Sequence, residues 1–191
     1  MNVDNKLFKR YYKNYIDGVS IENIEFKKFS YSELQEFLRS NYYDDELKRP
    51  VYWRPNGFVS PFGLQYLDFT SYSDDLSYLL GIVNNSSGKK TIVFCMEYDN
   101  NYAPFEEDGK RVGYIVTVET NCFFRNKGIL GQGLNQMKEL FCDVDILVSS
   151  PESLMGEKIS IIARISALFD GKPLVMSEEE YFNSLMKRHK W

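Results

Sequence analysis

Residues 123 to 137 read FFRNKGILGQGLNQM. Three glycines, Gly128, Gly131 and Gly133, and two cations, Arg125 and Lys127, fall where an alternating apolar stretch gives way to an apolar pattern of helical period. Residues of these types at this spacing suit anion binding. The first amides of a helix have no intrahelical acceptor, and the aligned peptide dipoles leave partial positive charge there, so a phosphate is held with little side-chain help. Glycine lets the backbone come close, and Arg125 and Lys127 add charge. A P-loop for ATP needs Gly-Lys followed by Ser or Thr, which GILGQG lacks. The dinucleotide pattern G-x-G-x-x-G is also missing, because the three glycines run in the opposite order of spacing.

The elements that position this turn follow from hydrophobic period. LSYLLGIVNN, 76 to 85, and KTIVFCMEYD, 90 to 99, are apolar runs separated by the glycine-containing SSGK, and they predict two antiparallel strands. RVGYIVTVET, 111 to 120, is β-branched on both alternating faces and predicts a third, largely buried strand. Past the glycines, Leu130, Leu134, Met137 and Phe141 form a helical stripe, and VDILVSS, 144 to 150, is a further strand. A helix between two strands predicts that they run parallel. Met155, Ile159, Ile162, Ala163, Ser166 and Phe169 then give a second helix an apolar stripe, closed by Gly171 and Lys172. A short PLVM strand leads to the S-x-x-E cap SEEE and a last helix whose apolar face is Phe182, Leu185 and Met186.

Upstream, Phe8, Tyr11, Tyr12 and Tyr15 at helical spacing, beside Lys6, Arg10 and Lys13, predict a basic amphipathic helix over residues 1 to 16. IEFKKF, 24 to 29, is a short strand, and SYSE at 30 to 33 is a capping box opening a helix that reaches Tyr42. Residues 44 to 75 carry Pro50, Pro55 and Pro61 among many aromatics, which breaks regular structure and makes this connection either a substrate wall or a lid on the core.

A chain of 191 residues, 43% hydrophobic and 16% aromatic, is long enough for one well-packed domain but cramped for two. Net charge of -4 gives no global attraction to phosphate backbones, and no basic patch of size offsets it, so nucleic acid is not an expected partner. No apolar run approaches the roughly 20 residues that span a bilayer, so no membrane partner is expected either. Cys95, Cys122 and Cys142 have no metal-ligand spacing, and the start MNVDNKLFKRYYK lacks the apolar core of a signal peptide. The expected compartment is a reducing cytoplasm, with no bound metal.

VETNCFFRNKGILGQGL resembles motif A of the GNAT-type N-acetyltransferase superfamily: an arginine or glutamine, two residues, a glycine, one residue, then a glycine or alanine, placed between the fourth strand and the third main helix. The pattern falls on Arg125, Gly128 and Leu130. Leu130 departs from it at the last position, and Gly131 follows one residue later. The resemblance implies an α/β (mixed) fold, a GNAT-like central mixed sheet in which an antiparallel meander leads into a β-α-β unit flanked by helices. It divides the chain into an N-terminal helical extension, 1 to 20, and a single domain, 21 to 191, with a C-terminal helix.

The same resemblance implies acetyl-CoA as co-substrate, with its diphosphate on the backbone of Arg125, Asn126, Lys127, Gly128, Ile129, Leu130 and Gly131. Its pantetheine arm would run beside the strand at Val118 and Thr120. The expected reaction is transfer of acetyl to a primary amine of a small molecule or peptide, with Tyr52, Trp53 and Phe62 of the aromatic connection at the acceptor. Glu119 is the first candidate for the base that deprotonates the amine, against the alternative of a strand residue facing solvent. Glu152 is the second, against that of a helix N-terminal acid. Family members often use a tyrosine in the following helix as general acid, and residues 155 to 169 contain none. The family also usually ends in two antiparallel strands where this chain has room for a short strand and a helix.

Two other residues have reactive side chains. Cys122, just before the turn, is either a nucleophile with a lowered pKa or a small buried residue. His189, the sole histidine, is explained by dipole pairing at a helix C-terminus. The alternatives to an enzyme are a GNAT-like fold serving as a non-catalytic binding or interaction module, and an unrelated α/β protein in which the glycine turn is only a tight loop. A homodimer is compatible with either GNAT-like reading.

Overall fold

The computed structural model describes residues 9–45, 48–50, 52–53, 64–65, 76–102, 109–149 and 158–189. Among the described residues the strands are β1 Glu25–Ser30, β2 Tyr43–Asp44, β3 Arg49–Pro50, β4 Tyr52–Trp53, β5 Leu64–Gln65, β6 Ser77–Asn84, β7 Lys90–Asp99, β8 Val112–Thr120, β9 Ile146–Ser149 and β10 Leu174–Ser177. Four twelve-residue helices, α1 Tyr31–Tyr42, α2 Ile129–Leu140, α3 Lys158–Phe169 and α4 Glu178–His189, join them. Six strands form one mixed sheet in the order β1-β6-β7-β8-β9-β10, while β2 with β3 and β4 with β5 make separate two-stranded ladders. The chain divides into two compact units: Met1–Cys95 with Glu119–Leu130, and Met96–Val118 with Gly131–Trp191.

In the first unit β1 runs antiparallel to β6 from Glu25 opposite Ile82 to Ser30 opposite Ser77. Asn85 builds the β6–β7 turn: its side-chain oxygen accepts from the amides of Ser87 and Lys89 at 3.0 and 2.9 Å, and its backbone N–H donates to the Lys89 carbonyl. Helix α1 starts as the capping box predicts. Glu33 accepts from the Ser30 amide at 2.7 Å, and the Ser30 hydroxyl receives the Glu33 amide. Leu34, Leu38 and Tyr42 are its buried face. The Tyr42 hydroxyl donates to the Lys90 carbonyl at 2.7 Å, and burial, with Tyr11 and Tyr15 nearby, holds its pKa well above the usual phenol value.

The N-terminal segment is helical from residue 9 and closes in a π-helical turn, Tyr12–Ile16, where the sequence predicts a regular helix. Its carbonyls explain the change. The Asn85 side chain donates to the Asn14 carbonyl at 2.7 Å and the Thr91 hydroxyl donates to that of Tyr15, so this turn is satisfied by the sheet rather than by a continuing helix.

In the second unit β8 runs parallel to β9, from Val112 opposite Ile146 to Ile115 opposite Ser149, and β9 runs parallel to β10. The starts of the three strands are tied together. Asp145 donates its amide to the Arg111 carbonyl at 2.8 Å and accepts the Arg111 amide on its carboxylate at 2.9 Å. Its own carbonyl accepts from Leu174 at 2.9 Å, and the Arg111 side chain pairs with Asp143. Gly113 is required by close packing, because a Cβ there would lie 2.7 Å from the ring of Phe141, a residue with no exposed surface. On the opposite face Val112, Ile146, Val148, Tyr181 and Leu185 form a buried cluster.

Three sequence readings change. Only the first half of β8 is buried: Val116 to Thr120 are all half-buried, where a largely buried strand was predicted. Among the described side chains of α3, residues 163 to 169, Ile165 is buried, while Ala163 and Ser166 of the predicted stripe are exposed. In α4 Tyr181 is fully buried and Met186 is 64% exposed, so the apolar face is rotated from the predicted one. Single apolar residues on exposed helix positions are ordinary, and a stripe of small residues marks a face only weakly.

The caps predict an acid dependence. Glu33 and Glu180 have lowered pKa values because each accepts the backbone N–H of its serine, Ser30 or Ser177, and then the hydroxyl. A depressed folded-state pKa contributes stability above the unfolded value, about 4.3 for Glu, that is lost as pH falls through the folded value. Between about pH 5 and 3 the melting temperature of wild type should therefore fall more steeply than that of the Glu33→Gln, Glu180→Gln double variant. Parallel curves would remove the caps from the acid response.

Candidate functional site

Strand β8 gives the site its direction. Its described pairs with β9 reach Ile115–Ser149, and β8 itself continues to Thr120, with Val116 to Thr120 all half-buried. Parallel strands tied at their starts leave their carboxyl ends as the place where a ligand is accommodated. Alternation puts Val118 and Thr120 on the face of Val112 and Tyr114, and Glu119 on the face of Gly113 and Ile115. Glu119 is half-buried, so it is neither a fully solvated strand residue nor a core one.

The chain leaves β8 at Asn121 and makes a short 3-10 turn, Cys122–Phe124. Arg125, Asn126, Lys127 and Gly128 follow, all exposed. Two of them take left-handed backbone torsions, Asn126 with φ 60° and Gly128 with φ 77°. Asparagine and glycine are the residues that accept this conformation at least cost. Helix α2 then begins with Ile129 buried, Leu130 half-buried and Gly131 exposed. Successive helix residues point about 100° apart, which is why Leu130 turns partly inward and Gly131 takes the open direction. No acidic residue lies in the first turn of α2, and a Cβ at Gly128 or Gly131 would meet no atom within 4 Å. The surface offered is thus backbone amide, glycine and cation.

Ile129 is 1% exposed, and Leu134, Met137 and Phe141 are buried below it, so the stripe predicted from period anchors α2 at all but its first member. Tyr98 packs edge-on against Phe141 with ring centroids 5.6 Å apart. Burial of such side chains is worth about 1.5–3 kcal/mol each, and it fixes the helix axis whose amides face the turn.

Other predicted residues are placed less fully. Tyr52 and Trp53 form β4 and pair with Gln65 and Leu64 of β5. Glu152 and Phe62 lie outside the described residues, as do Met155 and the start of its predicted stripe. His189 is the last residue of α4. Among the described residues no group of three or more His, Cys, Asp or Glu is placed to hold a metal ion, and no helix is long and apolar enough to cross a membrane.

Two residues escape sequence reasoning. Glu97 of β7 is 3% exposed and is the only acid among the described buried residues. Its signal was an acid inside the apolar run KTIVFCMEYD; alternation with Tyr98 turns it away from the α2 face. Asn121 has no exposed surface, and its sequence gave no sign beyond its position at a strand end.

No family model matches the chain, and no curated protein matches it by sequence. Among similar solved structures is an integron cassette protein from the mobile metagenome of V. cholerae, 11% identical with a TM-score of 0.49, covering 74% of this chain and 83% of that one. Another is an aminoglycoside acetyltransferase from an uncultured soil metagenomic sample, in complex with trehalose, at 10% identity and TM-score 0.47, covering 76% and 90%. A third is a ribosomal-protein-alanine N-acetyltransferase from Brucella melitensis biovar Abortus 2308, at 14% and 0.44, covering 75% and 90%.

The two turn glycines should behave oppositely when the fold alone is tested. Gly131→Ala is expected to leave stability unchanged or raise it by up to about 1 kcal/mol, since the helix prefers alanine and nothing is crowded. Gly128→Ala should cost on the order of 1 kcal/mol through its positive φ. Denaturant unfolding of both variants checks this, and a destabilised Gly131→Ala would mean that the fold itself needs that glycine.

Proposed function

We propose that the chain is an acyl-CoA-dependent N-acyltransferase that moves acetyl from acetyl-CoA to a primary amine of a small molecule or peptide. The observation that carries this reading is the half-buried second half of β8, Val116 to Thr120, followed after one short turn by the glycines that open α2. A strand edge followed by a helix N-terminus suits a ligand with an extended amide-bearing arm and a diphosphate. Acetyl-CoA has both. The space over Gly128 and Gly131 and the absence of an acid from the first turn fit the diphosphate.

In this reading the amides of residues 128 to 131, with Arg125 and Lys127 beside them, hold the diphosphate, and Val118 and Thr120 present strand backbone to the pantetheine amides. Acetyl-CoA supplies the activated thioester. Glu119 takes a proton from the acceptor ammonium, directly or through a water, and the neutral amine attacks the carbonyl. A backbone amide stabilises the oxyanion that develops. The carbon–sulfur bond then breaks, the nitrogen loses its second proton as the amide forms, and the coenzyme thiolate takes up that proton, directly or through water. Much of the rate comes from holding the amine and thioester in line. Placement of the acceptor by Tyr52, Trp53 and Phe62, and of Glu152 as the second candidate base, belongs to the same proposal, as do a single domain over 21 to 191 and a cytoplasmic setting. Helix α3 has no tyrosine to act as general acid, which favours a coenzyme-binding module without turnover as the second reading.

Calorimetric titration with acetyl-CoA tests the reading directly. Binding should be weakened more by Gly128→Val than by Lys127→Ala, since several amides share the diphosphate while each cation acts alone. Equal affinity in Gly128→Val and wild type would remove the turn from the site.

With an amine acceptor in hand, Glu119→Gln should lower turnover and leave acetyl-CoA affinity unchanged. An unaltered pH–rate profile would place the base elsewhere. Binding with no turnover for any amine would select the module.

A further inference from the structure

Asn121 is buried completely and uses both ends of its side chain. Its Nδ2 donates to the Ile92 carbonyl of β7 at 3.0 Å, and its Oδ1 accepts from the Phe123 amide at 3.1 Å. Its backbone is held as firmly: the N–H donates to the Val93 carbonyl at 2.9 Å, and the carbonyl accepts from the Phe124 amide at 2.9 Å. Of these four hydrogen bonds, two tie the exit of β8 to Ile92 and Val93 in the first half of β7 and two tie it to the turn that follows. The next residues are held from outside as well, since the Tyr12 ring stands edge-on to Phe123 with centroids 5.4 Å apart.

We infer that Asn121 is a positioning residue for the diphosphate turn, setting where Arg125 to Gly131 lie and so how well their amides converge on the coenzyme. The inference rests on the proposed acyl-CoA site. No other side chain of this length both donates to Ile92 and accepts from Phe123. Aspartate keeps the acceptor but sets a carboxylate against the Ile92 carbonyl. Serine keeps a cap for the turn and loses the reach to β7. Arg125 to Gly128 are exposed and include two residues with positive φ, so none of those four residues is buried in the core.

Merely structural damage would weaken every part of the site, whereas a misplaced turn should be felt only by the diphosphate end. The test therefore compares coenzyme A with S-acetylpantetheine, which carries the arm and thioester but no diphosphate. In Asn121→Asp, coenzyme A affinity should fall by about tenfold or more while the affinity of S-acetylpantetheine stays within about twofold of wild type. Hydrogen exchange over residues 122 to 131 should rise in the same variant. If Asn121→Asp does not fold, Asn121→Ser, which retains the cap, carries the same comparison. Unchanged coenzyme A affinity, or equal losses for both ligands, overturns the inference and leaves the acyl-CoA reading standing. Failure of wild type to bind coenzyme A overturns that reading and the inference with it.

Discussion

A strand that stops must hand its hydrogen bonds to something else, and at Asn121 that exchange is made by one side chain. The backbone N–H still bonds to β7, while the amide side chain bonds to Ile92 and to Phe123, two residues further along. A buried amide left half-satisfied costs about 1–3 kcal/mol, so the chain has little freedom in where β8 ends. The turn after it is then only a few residues long before α2 must begin. Left-handed torsions at Asn126 and Gly128 are the means by which so short a connection reverses into the helix. The chemistry of the turn is therefore a consequence of a packing decision made in the sheet.

The start of β8 is held within the second unit. Arg111 and Asp145 tie the starts of β8 and β9 by reciprocal backbone and carboxylate bonds, and Leu174 joins β10 to the same point. Gly113 draws β8 against Phe141, and the Val112 cluster closes the opposite face. The close packing at Gly113 and the cluster around Val112 both lie in the first half of β8. This is the physical reason for the burial gradient along the strand: β-branched residues over 116 to 120 make strand geometry favourable without being needed for the core. A strand held at one end and formed but half-covered at the other presents backbone to a ligand without having to unfold first.

Local codes were the legible part of the sequence. Both S-x-x-E boxes are formed, at Ser30 with Glu33 and at Ser177 with Glu180, because a cap is completed within four residues. The parallel pairing of β8 and β9 followed from the helix between them, and the stripe of α2 from its period. What failed depended on distant partners. Whether Ala163 or Ile165 faces inward is set by what lies beneath α3, and two small residues among large ones leave the moment ambiguous. The π-helical close of the N-terminal segment is dictated by Asn85 and Thr91, more than 70 residues away. For the site, glycines and cations in FFRNKGILGQG drew attention to the turn, but the residue that holds it is an unremarked asparagine. Nothing in one sequence separates a buried Asn from an exposed one.

The N-terminal segment illustrates how such distant terms accumulate. A helical segment that ends after Ile16 leaves its last carbonyls needing donors. Side chains from the β6–β7 turn and from β7 supply them, while Tyr11 and Ile16 are buried and the Tyr15 ring lies 4.8 Å from that of Tyr42. Lys89 stands over the other reach of the Tyr15 ring at 5.4 Å from its centroid. Aromatic packing of this kind is worth about 0.5–1.5 kcal/mol per pair beyond the area buried. The segment consequently behaves as part of the first unit's core. Tyr12, an exposed ring among its described residues, meets Phe123. The N-terminal segment and β7 therefore bear on the same short stretch of chain, through Phe123 and through Asn121. The orientation of the glycine turn is set jointly by residues that lie more than 100 positions apart in the sequence.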